Sequence, residues 1–252
     1  MIDIRDLVFA YPGRATPLFE GLTWGVGRGE RWAVIGSSGC GKSTLLHLIV
    51  GVRLPDAGTI AVNGEAVPRK KNRGKTGLVL QDYGLLPWST LRENVALGLR
   101  IRAFYGQAGG AAVPERVDGW MDRLGIAAVG HRHPAQVSGG QRQRAAIART
   151  LVLEPDVLLM DEPFAALDAL TREDLERLTL ELHAETGTTL IFVTHNIEEA
   201  VLLGQKILVL GPPPHRRPCV IENALAGGPL DGGAPEFQAQ CRGLREMLGR
   251  HA

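Results

Sequence analysis

The sequence predicts an α/β fold with a mostly parallel core, and three observations predict it. Short apolar runs recur, among them Arg31-Trp32-Ala33-Val34-Ile35, Val157-Leu158-Leu159-Met160 and the stretch from Thr188 to Val193. Runs of this kind are what strands covered on both faces look like. Helix-like stretches lie between them, as crossover connections between parallel strands require. Glycine or polar residues follow directly on these runs, at the strand ends where open α/β sheets receive ligands.

Taken in order, Ile2 and Ile4 alternate with Asp3 and Arg5 and lead into Leu7-Val8-Phe9, a strand pattern. Tyr11-Pro12-Gly13 is a turn. The run ending at Ile35 passes into Gly36, and Thr44 to Val50 reads as a buried helix stopped by Gly51. Gly58 to Asn63-Gly64 is a hairpin signal, which adds a small antiparallel layer near the N-terminus. Lys75 to Leu80 is a strand ending at Gln81. From Pro87 to about Leu153 the pattern is mostly helical, with a soft linker from Gly106 to Pro114. Helices follow at Thr171–Glu185 and Glu198–Leu203, then a strand at Ile207–Leu210. Pro212-Pro213-Pro214 breaks the pattern. In the Gly/Pro-rich tail, Phe237, Cys241, Leu244 and Leu248 fall at helical spacing and predict a short final helix packed on the body. The expected organisation is a single domain over residues 1–218, a helical subdomain inserted at about 87–153, and a tail over 219–252.

The 252 residues suffice for one large domain or a core with a subdomain. A net charge of +1 gives no pull toward nucleic acid, and none is expected as a partner. Cys40, Cys219 and Cys241 are far apart and form no disulfide framework, as in a reducing compartment. The N-terminus carries acids where a secretion signal is basic. No apolar run reaches the ~18 residues that span a bilayer. The chain is expected to have no transmembrane segment.

The chemistry begins at Gly36-Ser37-Ser38-Gly39-Cys40-Gly41-Lys42-Ser43-Thr44, which matches the phosphate-loop pattern GxxxxGK[ST] between a strand and a helix. Its glycines let the backbone curl so that N–H groups face phosphate oxygens. The helix behind it offers a positive N-terminus. Lys42 adds a point charge for the β- and γ-phosphates of ATP, and the Ser43 hydroxyl is a Mg²⁺ ligand. Val157 to Met160 is the natural complement, a buried strand from which Asp161 and Glu162 emerge. Asp161 is the expected metal carboxylate and Glu162 the group that polarises the attacking water. His195 follows another core strand and is expected at the γ-phosphate. Gln81, at the end of a further strand, can reach the metal or the water. Ser138-Gly139-Gly140-Gln141 precedes a helix-forming stretch, with Ser138 as N-cap. It is a second anion device in one chain, and that points to a dimer.

These residues resemble the nucleotide-binding subunits of ABC transporters, in order from about Ile2 to Leu210. Ser138 to Gln141 resembles the signature motif of that family, Tyr11 the aromatic that stacks on adenine, Gln81 the Q-loop glutamine, Ala166-Leu167-Asp168 the D-loop and His195 the switch histidine. Gln81 to Trp88 followed by Arg92-Glu93-Asn94-Val95, Thr194-His195 with Glu198-Glu199-Ala200, and the Pro-rich segment after Leu210 resemble the branch that imports nitrate, sulfonates, taurine and related small solutes. Val137, Leu80, Ala166 and Asn196 depart from the usual leucine, phenylalanine, serine and aspartate.

The resemblance implies a phosphate-loop NTPase (RecA-like) core, with an N-terminal antiparallel subdomain and an inserted helical subdomain. It implies ATP and Mg²⁺ as cofactors and a sandwich of two copies of the chain. Each ATP then lies between the loop Gly36–Thr44 of one copy and Ser138–Gln141 of the other. It further implies transmembrane permease subunits resting near Gln81 to Trp88, indirectly a solute-binding protein, and a peripheral position on the cytoplasmic face of the inner membrane. Two alternatives stay open here. A soluble ATPase of the same class, in repair or translation, fits less well. Only 119 positions separate Lys42 from Asp161, without coiled-coil heptads between them, and there is one cassette. A sensor without turnover fits less well with Glu162 and His195 intact.

Other features have plainer expectations. The basic run Arg69 to Lys75 is expected to be a solvated loop. Cys40, at a helix N-terminus, is expected to have a lowered thiol pKa. His131 and His133 lack the companions of a metal site.

Overall fold

The computed structural model describes residues 1–69, 75–105, 113–228 and 234–250. The linker from Gly106 to Pro114 and the basic run from Arg69 to Lys75 therefore fall largely outside the described residues. The chain divides into two compact units, Met1–Arg73 with Leu180–Ala252, and Gly74–Thr179.

The first unit opens with β1 (Ile2–Phe9), β2 (Phe19–Val26) and β3 (Arg31–Gly36), then α1 (Lys42–Val50), β4 (Ala57–Val62) and β5 (Glu65–Ala66). β1 buries Ile2, Ile4, Leu7 and Phe9, so the alternation changes phase after Ile4. The reason is an irregularity at Asp6, whose φ is +48° and whose N–H donates to Thr23 Oγ1 at 3.0 Å. β1 pairs antiparallel with β2 and with β4, and β5 continues the layer as the far arm of a hairpin turned at Asn63-Gly64. β2 has no counterpart in the sequence reading, because Gly21 at φ +76° interrupts its alternation before Leu22, Trp24 and Val26 resume it. α1 ends at Gly51 in the left-handed conformation, its N–H bonded back to the last turn, as the sequence led one to expect.

The second unit contains β6 (Thr76–Val79), α2 (Leu91–Phe104), α3 (Val113–Arg123), α4 (Gly139–Leu151) and β7 (Val157–Asp161). β6 and β7 are parallel, with Thr76 opposite Val157 and Val79 opposite Met160. α2 starts in a capping box, Thr90 with Glu93, and buries Leu91, Val95 and Leu99. α5 (Ala169–Thr186) begins here and carries the chain back to the first unit.

The returning chain forms β8 (Thr189–Thr194), α6 (Ile197–Leu203), β9 (Lys206–Leu210), β10 (Cys219–Glu222) and α7 (Pro235–Arg250). β3 lies between β8 and β9 and is parallel to both. Ile35 stands opposite Thr194 on one side and Val209 on the other. This register brings Gly36, His195 and Gly211 to one edge, at the carboxyl ends of three neighbouring strands. β10 pairs antiparallel with β9 and was not anticipated. Only Ile221 in it is even half-buried, so it lacks the apolar run that marked the other strands. α7 packs through buried Cys241 and Leu244, and Arg245 pairs with Glu198 of α6 at 3.1 Å. Among the described residues no helix is long and apolar enough to cross a membrane.

Candidate active site

The loop after β3 curls because Gly39 and Gly41 adopt φ of +79° and +109°, which side chains avoid. The curl closes on itself through Cys40 N–H to Ser37 carbonyl at 3.3 Å. Lys42, buried at the first position of α1, reaches back into the arch and donates to the carbonyls of Gly36 and Ser37 at 2.9 and 3.1 Å. Its ammonium is thus desolvated and held by neutral carbonyls. A phosphate oxygen offers it a stronger, charge-assisted acceptor. Ser43 follows in the first turn of α1. Ser37, Ser38 and Gly39 are exposed at the mouth of the loop.

Tyr11 is tied to this loop. Its hydroxyl shares a 2.8 Å hydrogen bond with Thr44 Oγ1, and Phe9 meets its ring edge-on at 5.2 Å. The Arg53 guanidinium lies 4.8 Å from the ring centroid, a cation–π contact the sequence reading did not foresee. Arg53 is set there by the helix stop at Gly51, its N–H bonding to His47 carbonyl at 3.1 Å.

His195 is exposed one residue past β8. The chain on either side of it is fixed by a small network. Thr194 Oγ1 donates to Glu199 at 2.5 Å and accepts from Asn196 N–H at 3.0 Å. The Asn196 side chain caps α6 through Glu198 N–H at 2.9 Å and donates to Glu199 at 3.3 Å. Asparagine at 196 therefore does local work that an aspartate, lacking an N–H₂, would do only in part. A cavity of about 350 Å³ is lined by Gly36, Ser37, Ser38, His195, Leu210 and Leu248. The loop and the histidine thus face a common space.

In the second unit, Asp161 is the buried last residue of β7. Glu162 follows it with φ +46°. A non-glycine residue in the left-handed region costs about 1–2 kcal/mol, so the chain holds this carboxylate in place against a local preference. Gln81 lies two residues beyond β6 and is exposed. The segment after it also turns through φ +67° at Tyr83. Arg149 of α4 grips this turn, donating to the carbonyls of Gly84 and Tyr83 at 2.6 and 2.8 Å. Fully buried Asn94 holds the rest, accepting from Leu86 N–H at 2.7 Å and donating to Thr90 carbonyl at 2.9 Å. Trp88 stands out from this braced segment, 74% exposed.

Ser138 caps α4 in a full capping box. Its hydroxyl accepts from Gln141 N–H at 3.2 Å, and Gln141 Oε1 accepts from Ser138 N–H at 3.1 Å. A cavity of about 420 Å³ lies over this helix start, lined by Ser138, Gly140, Gln141, Arg144, Leu170 and Thr171. Asp168 caps the next helix through Thr171 N–H at 3.0 Å. That bond, followed by the Thr171 hydroxyl, holds its carboxyl below the usual range.

Three expectations are corrected or bounded. Burial pushes the Cys40 thiol up, outweighing the helix N-terminus and Lys42, so the lowered thiol pKa expected there is wrong. Arg69, at the start of the basic run, is buried and paired with Glu65 at 3.3 Å; it is no part of a solvated loop. Among the described residues no group of three or more His, Cys, Asp or Glu is placed to hold a metal. Ser43, Asp161 and Gln81 each carry an oxygen donor of the hard kind that magnesium takes.

A sequence profile described as ABC transporter matches residues 19–165. The taurine import ATP-binding protein TauB of Pseudomonas aeruginosa is 42% identical over 84% of this chain and 78% of its own. The aliphatic sulfonates import ATP-binding protein SsuB of Bacillus cereus is 38% identical over 89% and 86%. Among solved structures, the dimeric ATP-binding cassette MJ0796 in a post-hydrolysis state bound to ADP and Pi superposes with a TM-score of 0.76. That likeness covers 88% of this chain and 98% of the other at 27% identity.

Proposed function

The chain belongs to the ABC transporter family, and on that premise we propose that it hydrolyses ATP to power import of a small sulfonate-type solute such as taurine. The single observation that carries the reading is the phosphate loop, with buried Lys42 inside an arch of carbonyls at the N-terminus of α1.

In this reading the triphosphate replaces the Gly36 and Ser37 carbonyls as the partner of Lys42, and adenine stacks on Tyr11. Main-chain N–H groups from Ser37 to Thr44 cradle the β-phosphate. Ser43, Asp161 and Gln81 are the residues that would hold magnesium, which would supply positive charge against the phosphate oxygens. Glu162 accepts the proton of that water, and His195 donates to the γ-phosphate. Ser138 to Gln141 of a second copy complete the site: Ser138 and Gln141 satisfy each other's groups in the capping box and leave the α4 N-terminus for the γ-phosphate. The braced segment from Gln81 to exposed Trp88 is the surface offered to a permease subunit. The chain then sits peripherally on the cytoplasmic face of the inner membrane, and a solute-binding protein feeds the permease.

Glu162→Gln tests the chemistry. Phosphate release should fall by about 10²–10⁴-fold while ATP binding persists and size-exclusion chromatography shows a dimer with ATP. Turnover at the wild-type rate would remove Glu162 from the role of base.

A further inference from the structure

The segment that follows β9 grips the phosphate loop from behind. His215 is buried, 6% exposed, and its Nε2–H donates to the carbonyl of Cys40 at 2.7 Å across 175 positions of sequence. Its own main chain is pinned, with His215 N–H bonding to Leu18 carbonyl at 2.9 Å and Glu20 N–H to His215 carbonyl at 3.0 Å. The ring lies 5.5 Å from that of fully buried Phe19. Leu18 in turn presses on the loop, since a Cβ at Gly41 would come within 2.8 Å of its Cδ2. At the other end of the loop, the carbonyl of Leu210, the last residue of β9, crowds Gly36. Between Leu210 and His215 stand three prolines, whose fixed φ leaves the histidine little freedom to move away.

The consequence follows from peptide geometry. A peptide unit is planar and trans, so an N–H points opposite to the carbonyl that precedes it. A donor on the Cys40 carbonyl therefore fixes the direction of the Gly41 N–H, at the very start of α1. Gly41 has φ +109° and no side chain of its own to fix that plane. We propose that His215 is a positioning residue for nucleotide binding, which holds the Cys40–Gly41 peptide in the orientation that turns the Gly41 N–H toward the phosphates. The inference rests on reading Gly36–Thr44 as the phosphate site. It adds that the segment after β9 controls how well the site is formed. Burial holds the imidazole below its usual pKa, so at neutral pH the ring is uncharged and its one proton sits on the nitrogen facing Cys40.

The test uses the full chain and titration with a fluorescent ATP analogue in the presence of magnesium, with steady-state ATPase alongside. His215→Leu removes the donor. His215→Asn shortens the reach. His215→Gln puts an amide N–H₂ the same number of bonds from Cα as Nε2. Losing one hydrogen bond of this kind corresponds to about fivefold to tenfold weaker nucleotide binding. Leu and Asn should show that loss, as a raised KM with kcat little changed, and Gln should return within about twofold of wild type. Wild-type affinity in the Leu and Asn variants, or a Gln variant no better than Leu, overturns the proposal. Should the Leu variant fail to fold, Asn against Gln decides the same point. Lys42→Ala separates the two readings: if it binds nucleotide as wild type does, the phosphate-site reading itself fails, whatever the His215 variants do.

Discussion

The phosphate loop and the Ser138–Gln141 segment both set glycines at a helix N-terminus, yet they are held in opposite ways. The segment at α4 is self-contained. Ser138 and Gln141, three residues apart, satisfy each other, and nothing distant is needed to start the helix. The phosphate loop has no such local cap; Gly41 at its N-cap position offers no side chain. Its shape comes from Lys42 reaching back to Gly36 and Ser37, and from Leu18, Leu210 and His215 pressing or bonding from elsewhere in the chain. The loop is braced by chain distant in sequence. The helix start at α4 carries its brace with it.

Glycine substitutions should expose this difference most strongly. A Cβ at Gly36 would lie 2.4 Å from the Leu210 carbonyl and 2.6 Å from Cys40 Sγ, so backbone has to move. Gly36→Ala should cost about 1–3 kcal/mol of stability and most of the nucleotide affinity. Gly39→Ala meets no atom within 4 Å and carries only the strain of φ +79°, about 1–2 kcal/mol. At α4, Gly139 behaves differently, whereas a Cβ at Gly140 would meet the Thr171 methyl at 2.5 Å. A Cβ at Gly139 comes no nearer than 3.5 Å to its neighbours, so Gly139→Ala should leave the thermal midpoint unchanged and lower only ATPase activity. A Gly36→Ala variant as stable and as tight for nucleotide as wild type would mean the loop is not braced by Leu210.

The capping box gives the next largest effect. Ser138→Ala should cost about 1 kcal/mol in urea unfolding, and Ser138→Asn should recover most of it, because asparagine caps equally well. Ser138→Ala and Gln141→Ala should be less than additive, since each already removes the other's partner. Additive losses would show that the two side chains act apart.

The same contrast explains what could be read from sequence. Ser138 to Gln141 was legible because its bonds are local and follow the S-x-x-Q spacing of a capping box. Gly36 to Thr44 was legible as composition, since glycines and a lysine at fixed spacing imply the curl. Its braces were not legible. His215 sits in a proline-rich stretch that reads as a break in the pattern and as a feature of the importer branch, neither of which points to a brace, and Arg53 looks like one more residue after a helix stop. Their roles arise from contacts across 175 and 42 positions, for which the sequence carries no periodic signal. β2 could have been found from Leu22, Trp24 and Val26, which alternate beyond Gly21. The Cys40 error has a related cause. The helix start was visible in the sequence, but the burial that outweighs it comes from packing against distant chain.

Acid provides the mildest probe, directed at the unit that bears the phosphate loop. His183 and His215 both lie there. Burial first, and then for His183 the Arg31 guanidinium, hold them below the usual imidazole pKa; hydrogen bonds to the Gly29 and Cys40 carbonyls oppose this only in part. The unfolded chain protonates these two histidines near pH 6.5, while the folded chain refuses those two protons until lower pH. As pH falls below about 6.5 the unfolded state therefore gains protons the native state lacks, and stability declines through that window. Above pH 7 the two histidines are neutral in both states and contribute no slope. Thermal midpoints between pH 7.5 and 5.5 should fall on the acid side, and His183→Gln should flatten that decline by removing one of the two groups. His215→Gln should flatten it too and, unlike His183→Gln, should keep its nucleotide affinity constant across the same range. A decline of unchanged steepness in both variants would assign the acid sensitivity to other groups and leave the brace at Cys40 to be judged by nucleotide binding alone.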